Sequence, residues 1–215
     1  TPITKANYQV KHVDDIPRIV HEAFYLANTG RKGPVVIDFP KDMGVLTSSA
    51  PLEEEVHLPS YQVTENPNKE DIQQLSQYLN HAKQPVVLAG AGINHSKSND
   101  LLTEFVTHHQ IPVVTTLLGL GAIPYENPLF LGMGGMHGSY ASNMALTECD
   151  LLINLGSRFD DRLASNPNEF APNAKVVHID IDESEINKVI PTTLGIVADC
   201  KKVLETLVTE HQSHA

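Results

Sequence analysis

Two arginines bracket two aspartates directly behind an apolar run: in CDLLINLGSRFDDRLASN, Arg158, Asp160, Asp161 and Arg162 follow residues 151–156. A guanidinium forks onto phosphate or carboxylate, and neighbouring carboxylates fix its direction while limiting local positive charge. The pattern suits a site that grips an anionic or hydrogen-bonding ligand, although a solvated charge cluster would use the same residue types. Similar junctions recur along the chain. In AGAGINHS, Gly90 and Gly92 open a helix, where backbone N–H groups can approach a phosphate at the positive end of the dipole. The third glycine of a full dinucleotide fingerprint is missing, and a plain tight turn fits equally well. In LGMGGMHGSY, Gly132, Gly134, Gly135 and Gly138 leave little bulk around Met136 and His137. A methionine in such a loop is badly placed for a core and well placed to touch a flat ligand. Asp180 and Asp182 follow another apolar run, at a position where acids hold ribose hydroxyls. Asp199 reads first as a helix N-cap.

No catalytic residue emerges. There is no nucleophile elbow, no Walker lysine, no thiolate–histidine pair and no buried carboxylate pair. Cys149 and Cys200 are lone thiols without CxxC spacing, which suits a reducing cytoplasm and predicts no zinc. Eleven scattered histidines make no helical ligand pair, so no metal site is expected. A formal charge of −11 argues against nucleic acid. No apolar run reaches membrane-spanning length, and no signal peptide is apparent.

These junctions need elements to position them. Ile16, Ile19, Val20, Ala23, Phe24 and Ala27 recur at helical spacing, with Asp14 as cap, Pro17 in the first turn and Gly30 at the end. PVVIDFP then reads as a strand. Residues 1–44 thus look like the last helix and strand of an α/β unit. With no initiator methionine and an opening in mid-element, the chain is expected to be a fragment. Residues 45–66 lose periodicity and read as a linker, in which EEE is a solvated stretch. From 67 to 210, apolar strands (PVVLAG, IPVVTT, DLLINLG, KVVHIDID, TLGIVA) alternate with helices at 68–82, around Leu101–Val106, at GSYASNMALTE and after Asp199. Strands apolar throughout mean a parallel sheet covered on both faces, a Rossmann-like fold. Residues 211–215 are a tail. Five strand ends carry glycines or polar groups together, which suits an extended nucleotide lying across the sheet.

The stretches ITKANYQV, GRKGPVVIDFPKDM, GLGAIP, LGMGGMHGSYASN, GSRFDDR and HIDIDESEI closely resemble the catalytic large subunits of acetohydroxyacid synthase (acetolactate synthase) over essentially the whole chain. The resemblance implies that residues 1–44 end a pyrimidine-binding domain and that 67–210 form a central FAD-binding domain. Thiamine diphosphate and Mg2+ would be held outside these residues, so this chain alone would be inactive. The implied reaction decarboxylates pyruvate and transfers the two-carbon unit to a second 2-keto acid, on the path to branched-chain amino acids. Homo-oligomers and a regulatory small subunit come with it.

FAD contacts carry over to Gly90, Ala91 and Gly92, to Thr116 and Leu117, and to Gly134, Gly135, Met136 and His137. Further contacts fall at Gly156, Ser157, Arg158, Phe159 and Asp160, at Asp180 and Ile181, and at Asp199 and Cys200. Lys5, Met136, Asp161 and Arg162 match the substrate channel. Gly134 stands where a leucine is common, and Ala198 where a glycine is common. The rival readings are a flavin-independent thiamine diphosphate decarboxylase or catabolic acetolactate synthase with the same sheet as a spacer, a stand-alone NAD module, and an interaction domain. MHG with RFDDR argues against the first, the half-domain at 1–44 against the second, and the glycine-bearing strand ends against the third.

Overall fold

The computed structural model describes residues 2–52 and 55–214, with side chains through Thr209. Glu53 and Glu54 of the EEE stretch and Ala215 of the expected tail lie outside the described residues. The chain divides into two compact units between Val63 and Thr64.

The first unit holds β1 (Ala6–Gln9), α1 (Ile16–Asn28) and β2 (Val35–Asp38), with β1 and β2 parallel. Strand β1 was not expected; its polar Asn7 and Gln9 alternate with Ala6 and Tyr8 and mask the apolar pattern used to find strands. The buried stripe of α1 is Ile19, Ala23 and Leu26, whereas Phe24, expected on that stripe, is exposed. Asp14 does not cap α1. A 3-10 turn at Val13–Asp15 intervenes, and the Asp14 carboxylate accepts instead from Ser48 Oγ at 2.8 Å and Ser49 N at 3.2 Å. Residues 46–52 and 55–68 contain no helix or strand.

The second unit runs α2 (Lys69–His81), β3 (Pro85–Ala89), α3 (Ala91–Ser96), α4 (Asn99–His109), β4 (Val113–Thr115), β5 (Phe130–Met133), α5 (Tyr140–Glu148), β6 (Leu151–Leu155), β7 (Lys175–Asp180), β8 (Leu194–Val197) and α6 (Cys200–His214). Its six parallel strands are ordered β5-β4-β3-β6-β7-β8. Counted from the first strand of the unit this is 3-2-1-4-5-6, the Rossmann order, which reverses between β3 and β6. Helix α6 continues to His214, through the stretch read as a tail.

Successive residues of a strand point to opposite faces, so strands apolar at nearly every position build two cores at once. Val87, Ala89, Ile153, Leu155, Val177 and Ile179 pack with α2, α4 and α6. Val86, Leu88, Val114, Leu152 and Val176 pack with Leu146 of α5 and with Phe159, Leu163 and Ala171 of the long β6–β7 connection. Capping fixes the helix starts: the Asn68 side chain accepts from Glu70 N, and that of Ser139 from Ser142 N. The single helix expected between β3 and β4 is two, because Lys97 adopts a left-handed conformation at φ 54° and ends α3.

Candidate functional site at the strand carboxyl ends

In open parallel sheets the ligand crevice lies beyond the carboxyl ends of the strands where their order reverses, here between β3 and β6. Its floor is main chain pressed on main chain. A Cβ added to Gly90 would lie 2.2 Å from Ser157 Cβ, and one on Gly92 would lie 2.6 Å from Gly156 Cα. Gly156, at φ +63°, would bring a Cβ within 2.5 Å of Gly92 Cα. The expected availability of the Gly90 and Gly92 N–H groups for a phosphate is not what the structure gives. Gly90 N donates to Leu155 O and Gly92 N to Gly156 O, each at 2.9 Å. These glycines therefore weld the two strand ends together; Ala91 sits between them, half-buried.

The stretch after β6 alternates between inside and outside. Ser157 is buried, and its carbonyl accepts from Asn154 Nδ2 at 2.6 Å and His178 Nε2 at 3.0 Å. Phe159 is buried, with its ring edge-on to His178 at 5.0 Å and to Phe170 at 5.6 Å. Between them Arg158 is turned out, its side chain 60% exposed and held only loosely, 3.8 Å from Asp160. Asp160 closes a turn by accepting from Leu163 N at 3.2 Å, while Asp161 and Arg162 are exposed. Asn154 and His178 were missed by sequence reasoning. The available signal was a polar residue inside each of two otherwise apolar strands, LLINL and KVVHID.

The glycine-rich loop follows a strand of its own, β5, and is pinned to the arginine–aspartate stretch. Met136 N donates to Arg162 O at 2.8 Å, and a Cβ on Gly135 would lie 2.4 Å from that same carbonyl. Asn143 of α5 pairs with Gly135 in both directions, at 2.8 and 3.0 Å. Met136 and His137 are consequently exposed, Met136 by 61%. At Gly134 a Cβ would meet Val114 Cγ1 at 2.8 Å and Leu146 Cδ1 at 2.9 Å, so these neighbours occupy the space a leucine would need. After β4, Thr116 caps a 3-10 turn through Gly119 N. Asn94 and Asn99 hold that turn by donating to Leu118 O, Leu120 O and Gly121 O, which leaves Leu117, Leu118 and Leu120 exposed.

On the far side of the crevice, Asp180 ends β7 and its carboxylate accepts from Asp182 N at 2.9 Å, next to half-buried Ile181. Asp182 caps the following 3-10 turn through Ser184 N. Asp199 caps α6, accepting from Lys201 N at 2.7 Å. The Cys200 thiol is buried close to both Gly92 and Gly156, and burial pushes its pKa up, with Asp199 and Asp180 adding to the effect. Cys149 is raised to about 12 by burial, so neither sulfur is a nucleophile at neutral pH. Burial lowers the pKa of His178, against the opposing effects of the Ser157 carbonyl and Glu185, and keeps the ring neutral. Lys5 belongs to the first unit. Its ammonium donates to Leu26 O, Thr29 O and Tyr61 Oη at 2.6 Å each, so its three protons are all engaged at the carboxyl end of α1.

The loops after β3, β4, β5, β6 and β7 thus meet at one end of the second unit. The sequence model of the family described as thiamine pyrophosphate enzyme, central domain, matches residues 72–207. The chain belongs to this family. The chain is 53% identical over 207 residues to the acetolactate synthase large subunit of Lactococcus lactis subsp. lactis, a match covering 96% of the chain and 36% of that relative. Similar matches are the large subunits of Haemophilus influenzae, 43% identical over 95% of the chain and 36% of the relative, and Corynebacterium glutamicum, 41% over 96% and 33%. The chain therefore spans about a third of the length of the curated relatives it matches.

Proposed function

We propose that these residues are part of an acetolactate synthase large subunit, and that the second unit is its FAD-holding central domain. The carrying observation is the likeness to acetolactate synthase large subunits over 96% of the chain. The crevice adds support, because Arg158, Met136 and the Leu117–Leu118 turn are all presented at the strand ends. Arg158 would pair with the pyrophosphate, and Met136 and Leu117 would lie against flat or apolar parts of the flavin. Asp180 and Ile181 would border a ribose, and the capping Asp199 and buried Cys200 would shape the wall there. Asp161 and Arg162 would face the 2-keto acid. Lys5, in the first unit, would act on substrate only by giving up its contacts at the end of α1.

Thiamine diphosphate, bound with Mg2+ by other parts of the enzyme, supplies the chemistry of decarboxylation and two-carbon transfer between 2-keto acids. The role left to this domain is to bind, to orient and to border the substrate path. Residues 1–44 would then close a pyrimidine-binding domain and 45–66 would link it to the central domain at 67–210. The active enzyme would be a cytoplasmic homo-oligomer, a dimer or tetramer, with a regulatory small subunit. No helix among the described residues is long and apolar enough to cross a membrane.

One observation favours a second reading. With the Gly90 and Gly92 N–H groups both engaged inside the protein, the sheet would also serve as a spacer in a flavin-independent thiamine diphosphate enzyme. Two measurements separate the readings. The product of the complete reading frame containing these residues should form acetolactate from pyruvate, and the 215-residue chain should bind FAD in preference to FMN and NAD. Acetolactate formation by an enzyme without flavin, or equal affinity for the three nucleotides, would favour the spacer.

A further inference from the structure

Asn154 and His178 are registered neighbours on β6 and β7, both fully buried and both beneath the arginine–aspartate stretch. A buried amide and imidazole lower stability unless their polar atoms are bonded; His178 Nδ1 has no hydrogen-bond partner among the described residues, and an apolar pair would pack this core at no such cost. Their bonds converge on one atom. A peptide carbonyl accepts along two lone pairs, and both of those on Ser157 O are used, by Asn154 Nδ2 at 2.6 Å and His178 Nε2 at 3.0 Å. Because a carbonyl only accepts, the proton of the neutral imidazole sits on Nε2. Asn154 Oδ1 accepts in return from Ser157 Oγ at 2.8 Å, and Phe159 inserts its ring against His178. With residue 157 held from below and residue 159 buried, the intervening Arg158 can only leave the sheet outward.

We infer that Asn154 and His178 are positioning residues: by clamping the Ser157 carbonyl they aim Arg158 and Asp160 into the crevice. This rests on the flavin reading above, in which Arg158 meets the pyrophosphate. The pair touches no ligand itself and acts through the peptide between the two strand ends.

The test joins two readouts on the 215-residue chain. In the absence of any nucleotide, amide hydrogen exchange at residues 158–162 should quicken about tenfold in His178→Leu, the loss of about one hydrogen bond, while strand β3 exchanges as before. For FAD, His178→Leu should raise the Kd about tenfold and His178→Gln, which keeps a donor at similar reach, should restore most of it. Combining His178→Leu with Arg158→Ala should weaken binding little beyond Arg158→Ala alone, since both changes remove one contact. Ile72→Val, a core truncation on the opposite face of the sheet, should leave FAD affinity unchanged, which separates positioning from general loss of stability. Should His178→Leu fail to fold, Asn154→Ser carries the same cycle. Unchanged loop exchange, or additive losses in the double variant, would overturn the clamp. Faster loop exchange in a chain that binds no FAD at all would instead overturn the flavin reading, and reduce the pair to a structural tie.

Discussion

At Gly156 a left-handed backbone, φ +63°, coincides with a main-chain approach that leaves no room for a methyl group. Gly156→Ala should cost about 2–5 kcal/mol, the sum of backbone strain and overpacking, seen as a lowered urea midpoint. Gly121, also at positive φ but with nothing near its Cβ position, should tolerate alanine with only the strain part of that loss. Arg158→Ala should weaken FAD binding by roughly 1–3 kcal/mol if the guanidinium makes a charge-assisted bond, whereas exposed Lys97→Ala should change nothing; flavin fluorescence reads both. Residue types were legible in the sequence where the chemistry is local. Asp199 as an N-cap and Met136 as an outward-facing methionine needed only their neighbours in the chain. The use of Gly90 and Gly92 was not legible, since it depends on Gly156, which lies far along the chain and meets them only through strand pairing.

The strands β3, β4, β6 and β7 could be read from apolar runs because burial on both faces favours apolar residues at nearly every position, and the edge strand β8 from Leu194, Ile196 and Val197. Strand β5 escaped, as half-buried FLGM at the sheet edge carries a glycine and runs into the glycine-rich loop. The break between α3 and α4 escaped because a left-handed lysine has no strong sequence signature. One junction between elements has a predictable response to acid. Asp150, just ahead of β6, accepts from Lys83 N at 2.7 Å and Gln84 N at 2.9 Å and so ties the α2–β3 connection to the next strand. Burial is the largest single influence and raises its pKa, but the Lys83 and Gln84 N–H bonds, with its own N–H and the Lys83 charge, together outweigh it and hold the carboxyl below the ordinary value. A depressed carboxyl pKa stabilises the fold above the unfolded value near 4, and the contribution fades as pH falls through the folded pKa. Asp150→Asn should therefore lower the urea midpoint at pH 7, and the difference from the parent should shrink at pH 3.

For the whole molecule, a match to only about a third of each relative carries its own prediction. The 215-residue chain supplied with pyruvate, thiamine diphosphate, Mg2+ and FAD should form no acetolactate; turnover dependent on thiamine diphosphate would show that the cofactor sites are wrongly assigned to other parts. The Rossmann order was foreseen as a class but not strand by strand, because order depends on which edges meet and not on any one element. That order also bears on how the second unit acquires its structure. Strands β3, β4 and β5 pair with neighbours in sequence, and so do β6, β7 and β8. Only the β3–β6 ladder joins residues 66 positions apart, Pro85 with Leu151 for example, and long loops lose more entropy on closing than short ones. By loop length alone, the strands within each half should pair before the β3–β6 ladder closes, and pulsed hydrogen exchange during refolding should protect β3 and β6 late. Since the crevice floor is made where those two strand ends touch, neither half contains the proposed nucleotide site, which would arise only when one half docks on the other.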